Sequence, residues 1–239
     1  MLVMRTENVP ATDARFWRTL LAASLLGTAA GDFAADTVGL GFLAGPPVLS
    51  IAVTIVLLAE RRIGVVGTGF YWTAIVLTRI AATNTADFLT HARGLGLGFA
   101  PVALALAAAL ALVARRDRVV VDGRYWATIA IASLLGTVGG DWLSDSIGLR
   151  WAALAALPCV AAPALWRNPR SVAGYWLAVA GVRVAGTIWA DLMAAPDGLA
   201  LGLGGSLAAA ALFLAAALAA PKRRRRPASA RARTARATG

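Results

Sequence analysis

The sequence predicts an all-α fold: a polytopic membrane helix bundle with eight transmembrane helices, arranged as four parallel two-helix repeats. Three observations support this prediction. The 239-residue chain is 59% hydrophobic and only 15% charged, whereas soluble domains carry about 25% charged residues. Apolar stretches of membrane-spanning length recur along it, and a polar motif returns in every second stretch. The basic residues fall mostly in alternate connections, which is typical of a multi-pass membrane protein.

Eight apolar segments are long enough to cross a hydrocarbon layer of about 30 Å as helices. They lie at about 16–37, 42–59, 67–90, 97–114, 125–146, 150–166, 172–194 and 199–220. The odd-numbered segments each carry a tryptophan near the start and polar residues further on. The even-numbered segments are mostly Ala, Leu and Val, with prolines or glycines that can kink a membrane helix. The first fifteen residues lack the features of a cleaved signal peptide, so we expect the first helix to be retained.

The distribution of basic residues predicts the orientation. Nineteen of the 23 Lys and Arg residues lie before or at the start of the first segment, in the even-numbered connections or after the last segment, whereas Arg93 and Arg150 lie in or beside the odd-numbered connections. The positive-inside rule therefore puts both termini on the cytoplasmic side of the membrane. Because topology accounts for the net charge of +11, we expect no nucleic-acid partner. The basic tail 223–239 is expected to be disordered, and it either only anchors the topology or also binds anionic lipid.

A three-residue motif marks each odd-numbered segment. A tryptophan is followed eleven residues on by threonine and fifteen residues on by aspartate. At 100° per residue these positions fall within about 60° of one another, so they form one helical stripe. The copies are about 50 to 55 residues apart, which allows two helices per unit and predicts parallel repeats. The four copies are Trp17/Thr28/Asp32, Trp72/Thr83/Asp87, Trp126/Thr137/Asp141 and Trp176/Thr187/Asp191.

The copies alternate in two types. The residues seven positions after the tryptophans are, in order, Ser24, Arg79, Ser133 and Arg183. The residues nineteen positions after the tryptophans are, in order, Asp36, His91, Asp145 and Ala195. This A-B-A-B pattern predicts two similar halves, residues 1–118 and 119–222, followed by the tail 223–239.

Small residues and the tryptophans are best explained by packing. Small pairs ten and fourteen residues after each tryptophan allow membrane helices to approach closely. The tryptophans are expected at the membrane interface, as an aromatic belt at the cytoplasmic ends of the odd-numbered segments. The small pairs are Gly27/Gly31, Ala82/Ala86, Gly136/Gly140 and Gly186/Ala190.

The ionisable residues inside the segments need partners. Each costs about 2.5–3.5 kcal/mol near the centre of a membrane helix, so none of them is expected to face lipid. Arg79 and Asp87 are eight residues and about 12 Å apart along one helix, as are Arg183 and Asp191. The arginines should therefore pair with carboxylates on neighbouring helices or cap the inner end of a polar cavity. Two carboxylates remain in excess, and they must be protonated, share protons or hold a cation.

We therefore expect an ion or substrate site nearer the extracytoplasmic face. Its predicted residues are Asp32, Asp87, Asp141, Asp191, Thr28, Thr83, Thr137, Thr187, Arg79 and Arg183. Asp36, His91 and Asp145 either line an outer vestibule or are ordinary loop and structural residues. Oxygen ligands suit a hard metal ion, a monovalent ion or protons, and the tryptophans could hold an organic cation. With one cysteine and one histidine in the chain, a zinc or copper site is disfavoured and no cofactor is expected.

The repeated unit resembles a bacterial membrane-protein family built from tandem repeats of the DUF347 type, over about residues 15–220. The resemblance implies the architecture and no activity. Copies two and four depart from the Gly-Asp form, since they have Ala86-Asp87 and Ala190-Asp191. The residues that carry the resemblance are Phe16-Trp17, Gly27-Thr28 and Gly31-Asp32; Tyr71-Trp72, Thr83 and Asp87; Tyr125-Trp126, Gly136-Thr137 and Gly140-Asp141; and Tyr175-Trp176, Gly186-Thr187 and Asp191.

Three functions are compatible with this pattern. The first is a small secondary transporter for a cation or a proton-coupled solute, since intramembrane ionisable residues at a repeat interface mark ion and proton pathways. The second is a membrane scaffold or partner subunit whose polar stripe only joins helices. The third is an intramembrane enzyme acting, for example, on lipid head groups, and it is the least favoured. Asp32 and Asp141 lack the Gly-x-Gly-Asp form of intramembrane aspartyl proteases, and no nucleophile or phosphate-loop motif is present, so an enzyme is not expected.

Overall fold

A computed structural model describes residues 6–7, 9–63, 67–91, 94–115, 118–165 and 171–220 of the protein. This part of the chain is all-α, as predicted, apart from one short strand pair. The predicted tail 223–239 lies outside the described residues. The helices are α1 (Ala14–Asp32), α2 (Gly41–Ile63), α3 (Thr68–Thr90), α4 (Phe99–Val113), α5 (Gly123–Ile147), α6 (Leu149–Ala155), α7 (Leu157–Leu165), α8 (Val172–Ala194) and α9 (Gly202–Ala219).

A short parallel strand pair was not predicted. Strand β1 (Thr6–Glu7) lies beside β2 (Val119–Val120), with Thr6 opposite Val119 and Glu7 opposite Val120. The pair joins the segment before α1 to the connection between α4 and α5. It therefore links the start of the chain to the boundary between the two predicted halves.

Side-chain caps fix where three of the repeat-bearing helices begin. The carboxylate of Asp13 accepts a hydrogen bond from the backbone N–H of Phe16, 3.0 Å away, at the start of α1. Asp122 accepts one from the backbone N–H of Tyr125 at 2.8 Å before α5. Ser171 caps α8 in the same way. Such caps satisfy backbone donors that the first turn leaves free, so each helix begins a few residues before its tryptophan.

Two predicted segments differ from a continuous α-helix. The first continues beyond α1 as a π-helical turn, Phe33–Thr37. The predicted segment 150–166 divides into α6 and α7 at Ala156. Pro158 explains the break, because it has no N–H to donate to the carbonyl of Leu154 and its ring obstructs that position.

The four helices that carry the motif form a closed inner ring, in the order α1, α3, α5 and α8. Each of them packs against the next, and α8 returns to α1. The other helices pack outside: α2 on α3, α4 on α5, α6 and α7 on α8, and α9 on α1. Each outer helix thus contacts the inner helix of the following repeat, so the last repeat closes on the first.

Glycines stand where neighbouring inner helices pass closest. A Cβ added at Gly27 of α1 would overlap the side chain of Arg79 on α3. A Cβ at Gly136 of α5 would overlap that of Arg183 on α8. The predicted packing role of these small residues is confirmed at both positions. Because equivalent residues meet in both pairs of helices, the two crossings are repeats of one geometry.

The outer surface is apolar. Among the described residues, two helices are both long and apolar enough to cross a membrane, Val172–Ala194 and Gly202–Ala219. Shorter apolar helical stretches occur at Leu43–Leu58, Phe99–Val113 and Leu149–Pro163. The eight spans and their orientation stay predictions. Large apolar side chains exposed on the outer helices include Leu43, Ile55, Leu104, Trp151, Leu212 and Phe213.

Candidate functional site

Polar and aromatic side chains of the inner ring form a column made of four layers. Each layer holds one residue from every inner helix, and a helix advances about 1.5 Å per residue. The arginine layer therefore lies about 12 Å from the aromatic layer, and each following layer about 6 Å further on. The aromatic layer is Phe16, Tyr71, Tyr125 and Tyr175; the arginine layer is Ser24, Arg79, Ser133 and Arg183; the threonine layer is Thr28, Thr83, Thr137 and Thr187; and the carboxylate layer is Asp32, Asp87, Asp141 and Asp191.

The aromatic layer closes one end of the column. Its four side chains are buried, and none exposes more than 3% of its surface. The hydroxyl groups of Tyr71 and Tyr125 are 2.5 Å apart, and those of Tyr125 and Tyr175 are 3.0 Å apart. Phe16 takes the fourth place without a hydroxyl. Three hydroxyl groups thus form a hydrogen-bonded chain across the end of the ring.

Each aromatic side chain of this layer also packs on the tryptophan of the next repeat. The ring centroids are 5.4 to 5.9 Å apart, within the range of favourable aromatic contacts. The contacts run around the whole ring and close on the first repeat. The pairs are Phe16 with Trp72, Tyr71 with Trp126, Tyr125 with Trp176, and Tyr175 with Trp17.

The prediction of an aromatic belt at the membrane interface is wrong for these tryptophans. The indole of Trp17 is 1% exposed and that of Trp126, the most exposed of the four, is 8% exposed. They are covered because each one lies between its own helix and an aromatic side chain from the neighbouring repeat. Their role is packing inside the bundle.

Arg79 joins three helices through its guanidinium group, which is fully buried. Its Nε and Nη2 donate to the hydroxyl oxygen of Thr28 on α1, at 3.2 and 3.0 Å. Nη1 donates to the backbone carbonyl of Ser133 on α5. Nη2 also donates to the hydroxyl of Thr187 and, at 3.2 Å, to the carbonyl of Arg183, both on α8. The rigid fork of a guanidinium suits such a multiple bridge.

Arg183 is also fully buried, but fewer of its guanidinium donors form hydrogen bonds. Its Nη1 donates to the hydroxyl of Ser24 at 3.0 Å. Its Nε and Nη2 have no hydrogen-bond partner in the described part of the chain. The two arginines occupy equivalent positions in copies two and four, yet Arg79 joins three neighbouring helices whereas Arg183 bonds to one side chain.

Of the two roles predicted for the arginines, pairing with carboxylates is not found among the described residues, whereas capping of the inner end of a polar cavity stays a prediction. Neither guanidinium lies within 4.0 Å of a carboxylate among the described residues, where the ion pair found is that of Asp87 with His91 at 3.9 Å. Hydroxyl and carbonyl oxygens of the neighbouring inner helices are closer to Arg79, because glycines bring those backbones near the axis. The carboxylates lie about two helical turns further along the column.

The four threonines are buried but differ in their bonds. Thr28 and Thr187 accept hydrogen bonds from Arg79. The hydroxyl of Thr187 also donates to the carbonyl of Gly136 at 3.2 Å. The hydroxyl of Thr83 has no partner within the described residues. These differences do not follow the A-B-A-B order, because Thr28 belongs to the first copy and Thr187 to the fourth, whereas Thr83 of the second copy is unbonded in the described part of the chain.

The four aspartates are brought together at the other end of the column. Each is partly exposed. Electrostatic repulsion from Asp191 and Asp87 acts on Asp32, and repulsion from Asp191, Asp87 and Asp32 acts on Asp141. In the described part of the chain, no side chain donates a hydrogen bond to the carboxylate of Asp32, Asp141 or Asp191. The sequence predicted such an excess of acid, and the carboxylates do lie close enough to repel one another.

The carboxylates do not form a preassembled metal site. Among the described residues, no three His, Cys, Asp or Glu side chains are grouped closely enough to hold a metal ion. A dehydrated divalent ion needs several converging oxygen ligands. Carboxylates that do not converge in this way are better suited to protons or to a hydrated cation.

The predicted outer vestibule is exposed and lies beside this layer. Asp36, on the π-helical turn, repels the carboxylates of Asp32 and Asp87. His91 is next to Asp87, and Asp145 is exposed at the end of α5. Two of the three predicted vestibule residues are thus electrostatic neighbours of the carboxylate layer.

Two features of the site were not predicted from the sequence. Asn84 is buried, donates to the carbonyl of Gly31 at 3.0 Å and leaves its Oδ1 without a partner among the described residues. An isolated amide within an apolar segment was the available signal. The aromatic layer was visible as a Phe or Tyr before every tryptophan, but its hydroxyl chain depends on contacts between helices.

Comparison with known proteins identifies a repeat family. Residues 15–64, 70–115 and 174–227 match the family described as Repeat of Unknown Function (DUF347). These regions contain the first, second and fourth copies of the motif. Neither the curated proteins nor the solved structures contain a match. Since the matches cover more than half of the chain, the protein belongs to the DUF347 repeat family.

Proposed function

We propose that the protein is a multi-pass membrane protein and a small secondary transporter that binds a cation, or exchanges protons, at the carboxylate layer. The observation that carries this proposal is the meeting of four partly exposed, mutually repelling aspartates at one end of a closed ring. Carboxylates in such surroundings cannot all stay ionised without a proton or a counter-cation. A purely structural residue would gain more from a hydrogen-bond partner.

The apolar outer surface supports the membrane part of the proposal. The outer helices expose large side chains such as Leu43, Leu104 and Leu212, and a water-soluble protein rarely exposes large contiguous apolar areas. The ionisable residues of the column lie inside the inner ring, away from this surface. We place eight spans in a bacterial inner membrane with both termini cytoplasmic, because the basic residues follow that topology.

The closed aromatic layer suggests how access alternates. Cations or protons would reach the aspartates from the extracytoplasmic side, where these residues are partly exposed. Passage toward the cytoplasm would require the aromatic and arginine layers to separate. The A-B-A-B order allows two similar halves to rock against each other, as in transporters built from parallel repeats.

Arg79 has a defined place in this mechanism. It attracts Asp32, Asp141 and Asp191 electrostatically without contacting them. A fixed positive charge below the carboxylates would favour release of a bound cation when the layers rearrange, and it would block passive leak of cations through the column.

A flux assay tests the proposal. The purified full-length chain is reconstituted in proteoliposomes, and uptake of protons, Na⁺, K⁺, Mg²⁺, Mn²⁺ and a small organic cation is measured. We expect flux of at least one of them, and its loss in the double variant Asp32→Asn/Asp141→Asn. Asp197→Asn is the matched control, since Asp197 is exposed just beyond α8. Absence of flux across the whole panel from folded protein would reject the transporter.

One observation favours the scaffold alternative. Arg79 bridges α1, α5 and α8 through neutral acceptors, as a structural staple would. A scaffold predicts that asparagine at Asp32 and Asp141 changes assembly or stability while no flux exists to be lost. Size-exclusion profiles of the same variants, measured beside the flux, distinguish the two functions.

A further inference from the structure

Arg183 is a buried cation with unused hydrogen-bond donors. Its side chain is fully buried, and only Nη1 donates to another side chain, the hydroxyl of Ser24. Nε and Nη2 have no partner among the described residues. An unpaired charge of this kind is strongly unfavourable in a low-dielectric interior, so an additional partner is needed.

The carboxylate layer does not supply that partner. Asp141, Asp32 and Asp191 interact electrostatically with Arg79. The positive charge of Arg79 is therefore the one that attracts the carboxylate layer. The titratable groups that interact with Arg183 are Tyr71, Tyr125 and Tyr175, whose phenols are uncharged at neutral pH. The surroundings of the Arg183 guanidinium therefore include the aromatic layer, whereas those of Arg79 include the carboxylate layer.

The aromatic layer, among the surroundings of Arg183, provides further donors. Two hydrogen bonds connect three tyrosine hydroxyl groups, so one O–H proton of the chain remains to be donated, since each hydroxyl carries one. Trp17, whose ring packs on Tyr175, also has an indole N–H without a partner in the described part of the chain. These are guanidinium, hydroxyl and indole donors, and no carboxylate of the described ranges lies within 4.0 Å of the arginine. Such a group of donors suits an anion and not a cation.

We propose that a small monovalent inorganic anion of the halide class, such as chloride, binds between Arg183 and the tyrosine hydroxyl chain. Size selects this class, because the aromatic layer is fully packed and its side chains are at most 3% exposed. The anion neutralises Arg183 and accepts from its free donors. The site goes beyond the proposed transport function, which uses the carboxylate layer at the other end of the column.

The test is the halide dependence of thermal stability. Full-length protein in detergent is melted at constant ionic strength while gluconate is replaced stepwise by chloride or bromide. Because a ligand that binds only the folded state stabilises it, Tm should rise with saturation, by about 5–10 °C at an anion concentration roughly 100-fold above the Kd. Equal Tm values in chloride, bromide and gluconate would overturn the proposal.

Variants separate binding from general salt effects. Arg183→Gln should lose the saturable response, whereas Arg124→Gln, the same change at an exposed arginine, should keep it. If Arg183→Gln does not fold, Tyr175→Phe decides, since it keeps the ring and removes one hydroxyl; we expect at least a several-fold weaker apparent affinity. An unchanged response in the folded variant would refute the site. Failure here leaves the flux assay unaffected, because that assay can be run in gluconate.

Discussion

Nη2 of Arg79 donates a hydrogen bond to the backbone carbonyl oxygen of Arg183, 3.2 Å away. The two residues occupy equivalent positions in copies two and four, so a strict twofold arrangement would make the contact mutual. It is one-sided in the structure, since Nη1 of Arg183 donates to Ser24 and its other donors are free within the described residues. The column is therefore asymmetric at its centre, although the repeats around it are similar.

This asymmetry predicts unequal effects of the same substitution. Arg79→Lys removes a fork that bonds to three helices, and a lysine ammonium cannot reproduce its planar geometry. We expect a loss of about 2–4 kcal/mol, from several charged hydrogen bonds. Arg183→Lys should cost less, because it removes one bond to a side chain. Thermal unfolding of both variants in chloride-free buffer checks the order, and a larger loss for Arg183→Lys would contradict it.

The glycines at the inner-helix crossings should not tolerate a methyl group. In Gly27→Ala the new Cβ overlaps the side chain of Arg79, and such overpacking typically costs about 1–3 kcal/mol. Gly204→Ala on α9 is the control, since nothing lies within 4 Å of a Cβ there; alanine should be neutral or up to about 1 kcal/mol stabilising. Equal melting temperatures of the two variants would show that α1 and α3 are less tightly packed than described.

Neutralising one aspartate should separate function from stability. Asp141 is repelled by three other aspartates and accepts no side-chain hydrogen bond among the described residues. Asp141→Asn should therefore leave Tm unchanged or raise it by a few degrees, while any cation or proton flux falls. Such a gain is typical where a functional site is kept at a cost in stability. Asp87→Asn should gain less, because Asp87 also pairs with His91. A clear drop in Tm for Asp141→Asn would favour the structural role instead.

The chain of tyrosine hydroxyl groups predicts different losses of stability for substitutions at its centre and at its end. Tyr125 lies between Tyr71 and Tyr175 and bonds to both. Tyr125→Phe should cost about 1–3 kcal/mol, at roughly 0.5–1.5 kcal/mol for each lost bond. Tyr71→Phe removes one of these bonds and should cost about half as much. Denaturation of the two variants side by side provides the measurement, and equal losses would argue against a chain centred on Tyr125.

Much of the fold could be predicted because its signals are local. The helical segments were predicted correctly to within a few residues, apart from the π-helical turn after α1 and the break that Pro158 causes between α6 and α7. The packing role of the small residues is confirmed at Gly27 and Gly136. The strand pair was missed because two residues on each side carry no periodic pattern. The sequence placed one aspartate on the polar stripe of each repeat, but whether the four converge depends on how the helices pack. The membrane spans, the orientation and the roles of the site residues remain predictions for experiment.

The sequence by itself determined which residues share a layer, because the rise and rotation of an α-helix fix the spacing of tryptophan, arginine, threonine and aspartate along each repeat. Only the tertiary structure decided which residue meets which. It buried Trp17 and its equivalents under the next repeat, and it gave Arg79 neutral partners from three helices. Long side chains can reach several acceptors, so the choice depends on how closely the neighbouring backbones approach. The distance between neighbouring backbones is set by glycines on other helices. It therefore cannot be predicted from the spacing of residues within one helix.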